Sequence, residues 1–161
     1  MKLSTSKLCD LYMDTVDVMD PLFNSYGGRS AFYGQVVTIK CFEHRGIIID
    51  ALRSNGLGKV LVVDGGRSLR RAIIDEEIVA MATQNGWEGI LCYGAVRDVN
   101  ELKNFDIGVM AVGSIPVLSD DSEVGENDAP VNFAGVTIFS EDYIYADETG
   151  VILSQDPLDI A

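Results

Sequence analysis

The chain has 161 residues, the size of one domain, and its 47% hydrophobic and 23% charged residues suit a globular protein. Its 25 acidic residues against 12 basic ones give a formal charge of −13, which disfavours direct binding to RNA or DNA phosphates. No apolar run reaches the ~18–20 residues that cross a bilayer, and the opening MKLSTSKLCD lacks the apolar core of a secretion signal, so a cytoplasmic location is expected.

In chain order, residues 5–13 (TSKLCDLYM) carry Leu8, Leu11 and Tyr12 at helical spacing behind a Ser/Thr cap. The Gly-rich turn NSYGGRS leads to a predicted strand, AFYGQVVTIKCFE. Residues 46–55 are predicted to form a short helix closed by Asn55-Gly56. KVLVV (59–63) and GILCY (89–93) are continuous apolar runs of the kind found in strands buried on both faces. Between them DEEIVAMATQNG reads as a helix ending at Gly86, and strand–helix–strand implies an α/β core. Beyond Leu102, IGVMAVGSIPV and VNFAGVTIF read as strands separated by the acidic loop SDDSEVGENDAP; EDYIYADE and TGVILS read as a last hairpin. The expectation is one compact α/β domain over residues 1–161, with a mixed sheet on a second layer of strands and helices outside.

Cys9, Cys41 and Cys92 each sit among apolar neighbours without a CxxC pair, so they are expected to be buried structural thiols. His44 is the sole histidine, which rules out a multi-histidine metal site within one chain, and it is expected at the surface.

The chemistry concentrates after the two apolar runs. KVLVV is followed by Asp64-Gly65-Gly66, and GILCY by Gly94-Ala95-Val96-Arg97-Asp98. Ligands of parallel sheets gather beyond the carboxyl ends of strands, so the two loops are expected to face one crevice. The helix that starts near Asp75-Glu76 has unpaired first amides, which receive anions such as carboxylates. Arg97 can grip the same carboxylate with a two-pronged guanidinium. Asp98 can hold a hard cation whose remaining shell is water or substrate, with Glu76 and Glu101 placed to hold those waters. A plainer reading stands beside this one. Asp75 caps the helix, Glu76 and Glu77 complement its dipole, and Arg97 and Asp98 form structural ion pairs.

TSKLCDLY, DPLFNSYGGRSAFYGQVVTIKCFE, KVLVVDGGRSLRRAIID, QNGWEGILCYGAVRDV, VNFAGVT and YADETGVILSQDPLDI together resemble the regulator of ribonuclease activity A family nearly end to end. The resemblance implies a swivelling β/β/α domain assembled as a homotrimer. It implies a protein-binding inhibitor of ribonuclease E that engages its basic C-terminal region and DEAD-box RNA helicases, and needs no cofactor. An acidic surface suits capture of a basic segment. The same superfamily includes metal-dependent 4-hydroxy-4-methyl-2-oxoglutarate aldolases that also decarboxylate oxaloacetate. Their motif is matched by Glu76, Arg97, Asp98 and Glu101. That resemblance implies Asp98 as the ligand of Mg or Mn, Arg97 as the carboxylate clamp, and Glu76 as the residue that orders a proton-transferring water. The amides of Asp75, Glu76, Glu77 and Ile78 would cradle substrate. Where the aldolases carry Asp, or Glu preceded by Gly, this chain has Asp75-Glu76, and the extra carboxylate repels an anion unless it caps the helix. The expectation is a ribonuclease regulator, with the aldolase/decarboxylase as the alternative.

Overall fold

The computed structural model describes residues 2–160. The elements are α1 (Thr5–Tyr12), β1 (Asp17–Val18), β2 (Asn24–Ser25), β3 (Phe32–Lys40), α2 (Gly46–Leu52), β4 (Lys59–Asp64), β5 (Ala72–Ile74) and α3 (Glu76–Gln84). They continue with β6 (Gly89–Val96), α4 (Val99–Leu102), β7 (Gly108–Ser114), β8 (Glu126–Asn127), β9 (Val131–Phe133), β10 (Val136–Ile138), β11 (Tyr143–Ala146) and β12 (Val151–Ser154).

Ten of the strands form one mixed sheet in the order β1-β12-β11-β3-β4-β6-β7-β2, with β5 on β6 and β8 on β3. Its centre, β3-β4-β6-β7, is parallel, and its flanks are antiparallel. Sequential parallel strands joined by crossovers of one hand put every connecting helix on the same side. Accordingly Ile48, Leu52, Ile78, Val79, Ala82 and Leu102 from α2, α3 and α4 pack on Leu61, Val63, Ile90 and Cys92. The residues between these on the strands, Val60, Val62 and Leu91, face the other side and meet Val131, Phe133 and Ile138 of the β9–β10 hairpin. This is why residues 60–63 carry no polar side chain: both faces of β4 are buried over that stretch, and only Lys59 at its start is partly exposed.

The expected α/β domain with mixed sheet and outer helices is therefore present. The second strand layer is small, since VNFAGVTIF is a two-stranded hairpin rather than one strand. EDYIYADE and TGVILS form the antiparallel pair β11–β12 as expected, and Leu8 of α1 is buried against their Tyr145 and Ile152. Cys41 and Cys92 are buried, and burial pushes the Cys41 thiol up to about 12, with Asp64 adding to the shift. Cys9 departs from the expectation because it lies at the half-exposed margin of α1.

One packing feature aligns the central strands. The Phe32 ring, 2% exposed, lies across the first residues of β6 and β7. Both are glycines, and a Cβ on Gly89 or Gly108 would stand 2.3 Å or 2.0 Å from that ring.

Candidate functional site

The carboxyl end of β6 is the centre of the site. β4 accompanies β6 as far as Tyr93, and β5 takes over alongside Ala95 and Val96. The Arg97 N–H donates to the Ile74 carbonyl at 3.0 Å, so the start of α3 is brought beside Arg97 and Asp98. Twenty intervening residues are thus closed by one short strand pairing.

Asp75 is the N-cap of α3, and its Oδ1 accepts the Ile78 N–H at 3.0 Å. Its Oδ2 accepts from Arg45 Nη1 at 2.7 Å in a buried ion pair, with side chains 8% and 5% exposed. Arg45 Nε donates to Asp121 Oδ1 at 2.6 Å. Burial lowers the Arg45 pKa, but the hydrogen bond to Asp121 and the charge of Asp75 outweigh it and raise the guanidinium overall. The extra carboxylate therefore caps the helix and is neutralised, which removes its repulsion of an incoming anion.

Asp98 adopts the left-handed conformation (φ 59°, ψ 40°), which short polar side chains tolerate. Its Oδ2 accepts the Glu76 N–H at 3.0 Å and lies 3.8 Å from Arg97 Nε. Arg97 Nη2 is 3.8 Å from Asp75 Oδ2, beyond hydrogen-bonding distance. Arg97 Nε is buried with no hydrogen-bond partner. An orphaned charged donor beside a recess is an opening for an anionic ligand. That recess, about 230 Å³, is lined by Arg97, Asp98, Val99, Ser114, Ile115 and Pro116.

Two of the amides expected to cradle substrate are already engaged, Glu76 N–H by Asp98 and Ile78 N–H by Asp75. Glu76 and Glu77 are exposed in the first turn of α3, whereas the Ile78 side chain belongs to the core. Among the described residues no three acidic or histidine side chains form a metal cage, so Glu76, Asp98 and Glu101 are not gathered into one. A single carboxylate beside an open recess fits an ion that keeps most of its water, as magnesium does.

The shared-crevice expectation is corrected. β4 and β6 are parallel neighbours, but the Asp64-Gly65-Gly66 loop closes on the β6 backbone. The Gly65 and Arg67 N–H groups both donate to the Tyr93 carbonyl at 3.0 Å, and a Cβ on Gly65 would stand 3.0 Å from that oxygen. The glycine serves contact within the chain, and the recess is walled by the end of β7 instead.

His44 is half-buried rather than simply on the surface, with Nδ1 2.6 Å from Asp120 Oδ1. That hydrogen bond, with the Ser122 N–H, lowers the Asp120 carboxyl from 3.8 to about 2. A depressed folded-state pKa stabilises the loop above pH ~4 and loses that effect as pH falls toward ~2. In an NMR titration Asp120 is expected near 2, and His44→Gln should move it back toward 3.8.

A second region is distinguished by charge. A recess of about 470 Å³ between α1 and residues 154–158 is lined by Asp14, Asp17 and Asp156, and a neighbour of about 280 Å³ shares Asp17 and adds Asp142. Neither contains a lysine or arginine, whereas the recesses at the carboxyl ends of the strands include Arg97, Arg71 or Lys40.

A single α/β domain with a mixed sheet and outer helices is the architecture that the sequence resemblance implies. Residues 5–153 match the RraA-like family, Aldolase/RraA, and the chain belongs to it. It is similar to the RNA-processing inhibitor RraA from Thermus thermophilis, at 36% identity and a TM-score of 0.94, covering 99% of this chain and 96% of that one. It is equally similar, at 36% identity and TM-score 0.95 over 97% of each chain, to a structure described as S-adenosylmethionine:2-dimethylmenaquinone methyltransferase from Geobacillus kaustophilus. RraAS2 of Streptomyces coelicolor, at 20% identity and TM-score 0.76 over 94% of this chain and 79% of that one, shares the fold. Among the described residues no helix is long and apolar enough to cross a membrane.

Proposed function

We propose that this protein is a regulator of RNA decay that acts by binding ribonuclease E, as a homotrimer, through the enzyme's basic C-terminal region, and that it also engages DEAD-box helicases. The observation that carries this reading is the end-to-end likeness to an RNA-processing inhibitor. A net charge of −13, with recesses lined by carboxylates and no cation, supports it by favouring an Arg-rich segment. Such binding requires no cofactor. The test is a binding isotherm with a basic ribonuclease E segment, followed as salt rises. The methyltransferase description is not carried over, because the glycine-rich turn after β4 spends its Gly65 and Arg67 amides on the Tyr93 carbonyl rather than offering them to a nucleotide-like ligand.

A second reading is favoured by the orphaned Arg97 Nε: a divalent-metal-dependent lyase acting on 4-hydroxy-4-methyl-2-oxoglutarate or oxaloacetate. Mg or Mn held at Asp98 would supply Lewis acidity. Arg97 would bind a substrate carboxylate and fix its orientation. Glu76, exposed at the start of α3, would move a proton through an ordered water. Metal-restored oxaloacetate decarboxylation by chelator-treated protein, absent in Asp98→Ala, supports this reading. Absence of turnover removes it and leaves the regulator.

A further inference from the structure

Asp75 stands between two arginines and satisfies one of them. Its Oδ2 is 2.7 Å from Arg45 Nη1 and 3.8 Å from Arg97 Nη2. A buried carboxylate left without a cation takes the nearest one available. In this structure that demand is met by Arg45, which comes from the start of α2 and is aimed by Asp121, and whose own N–H donates to the Asp120 carbonyl at 2.9 Å. Arg97 is left with a buried, unpartnered Nε beside its recess.

We propose that Arg45 is a positioning residue that holds the Asp75 carboxylate and so keeps Arg97 free to bind a ligand carboxylate. This rests on the lyase reading of Arg97 and Asp98. Arg45 touches no ligand; it acts through Asp75. Without it, Asp75 claims the guanidinium of Arg97 and draws it out of the recess. The acidic loop that supplies Asp121 thereby becomes part of the support of the site, although it lies more than twenty residues from Arg97 in the chain.

The experiment compares the full-length protein with Arg45→Met, Arg45→Lys and the double variant Arg45→Met/Asp75→Asn. Arg45→Met keeps the packed volume and removes the charge. Arg45→Lys keeps a cation beside Asp75 and gives a folded reference. In the double variant the asparagine still caps α3 but makes no claim on Arg97. Oxalate affinity is measured calorimetrically in the presence of magnesium, and the Arg97 Nε–H resonance, assigned by its loss in Arg97→Lys, is followed without ligand. Arg45→Met is expected to weaken oxalate about tenfold or more and to shift the Arg97 resonance, while the double variant restores both to near their original values. Arg45→Lys is expected to retain affinity within about threefold. A merely structural arginine predicts that the double variant stays as weak as the single one, and that result overturns the proposal. An unmoved Arg97 resonance in Arg45→Met overturns it too, whatever happens to affinity. If the unaltered protein ignores oxalate while the Arg97 resonance responds as described, the lyase reading fails and the Arg45–Asp75–Arg97 competition stands.

Discussion

Phe32→Ala is expected to lower the free energy of unfolding by about 3–5 kcal/mol, the cost of emptying a buried aromatic site that cannot collapse. The ring cannot be replaced by movement of its neighbours, because the residues beneath it are Gly89 and Gly108 at the fixed starts of β6 and β7. A side chain on either glycine meets the ring, so Gly108→Val, which adds bulk where a single Cβ already stands at 2.0 Å, should be at least as damaging. Urea unfolding with an unchanged m-value measures the loss. A cost under about 1 kcal/mol for Phe32→Ala would show that the strands find their alignment without the ring. The consequence reaches the site, since β6 and β7 carry Arg97 and Ser114 at their opposite ends.

The second large effect belongs to Arg97. A two-pronged charged contact to a carboxylate, at about 1.5–3 kcal/mol for each hydrogen bond, predicts a loss of about 10²–10⁴-fold in kcat/KM for oxaloacetate in Arg97→Ala. Arg97→Lys should recover little, because an ammonium lacks the planar fork. Stability should hardly change, since the side chain is 32% exposed and its contacts to Asp75 and Asp98 are both 3.8 Å. Equal losses of stability and turnover would instead mark Arg97 as a structural ion pair. The small stability effect expected here separates the two readings that the sequence left side by side.

Much of the centre of the fold was legible because periodicity is strong where burial is complete. KVLVV and GILCY are apolar at nearly every position because both their faces are covered, and the helix between them announces its start with Asp75 and its end with Gly86. β5 was not legible: Ala72–Ile74 is three residues long, too short for any period to be counted. Yet β5 sets the Asp75–Arg97 geometry. VNFAGVTIF looked like one strand because its turn, Ala134-Gly135 at positive φ, is hidden in an apolar run.

The site was legible in part. Arg97 and Asp98 were marked by following an apolar strand, and Asp75 by its cap position. Arg45 carried no such mark, because an arginine next to the lone histidine reads as a surface loop. Its role depends on α2 and α3 packing on the same face of the sheet, which places residues 30 apart in contact. The neutralisation of Asp75 therefore became visible in three dimensions and resolves the charge conflict raised by Asp75-Glu76.

Binding to the basic C-terminal region of ribonuclease E, measured at about 0.1 M and about 1 M salt, tests the central claim most directly, because the Debye length falls from about 10 Å to about 3 Å between them. The account predicts saturable binding at the lower salt that weakens at least tenfold at the higher, as expected where charge drives capture. Binding that is absent at the lower salt, or that is unchanged at the higher, would contradict it.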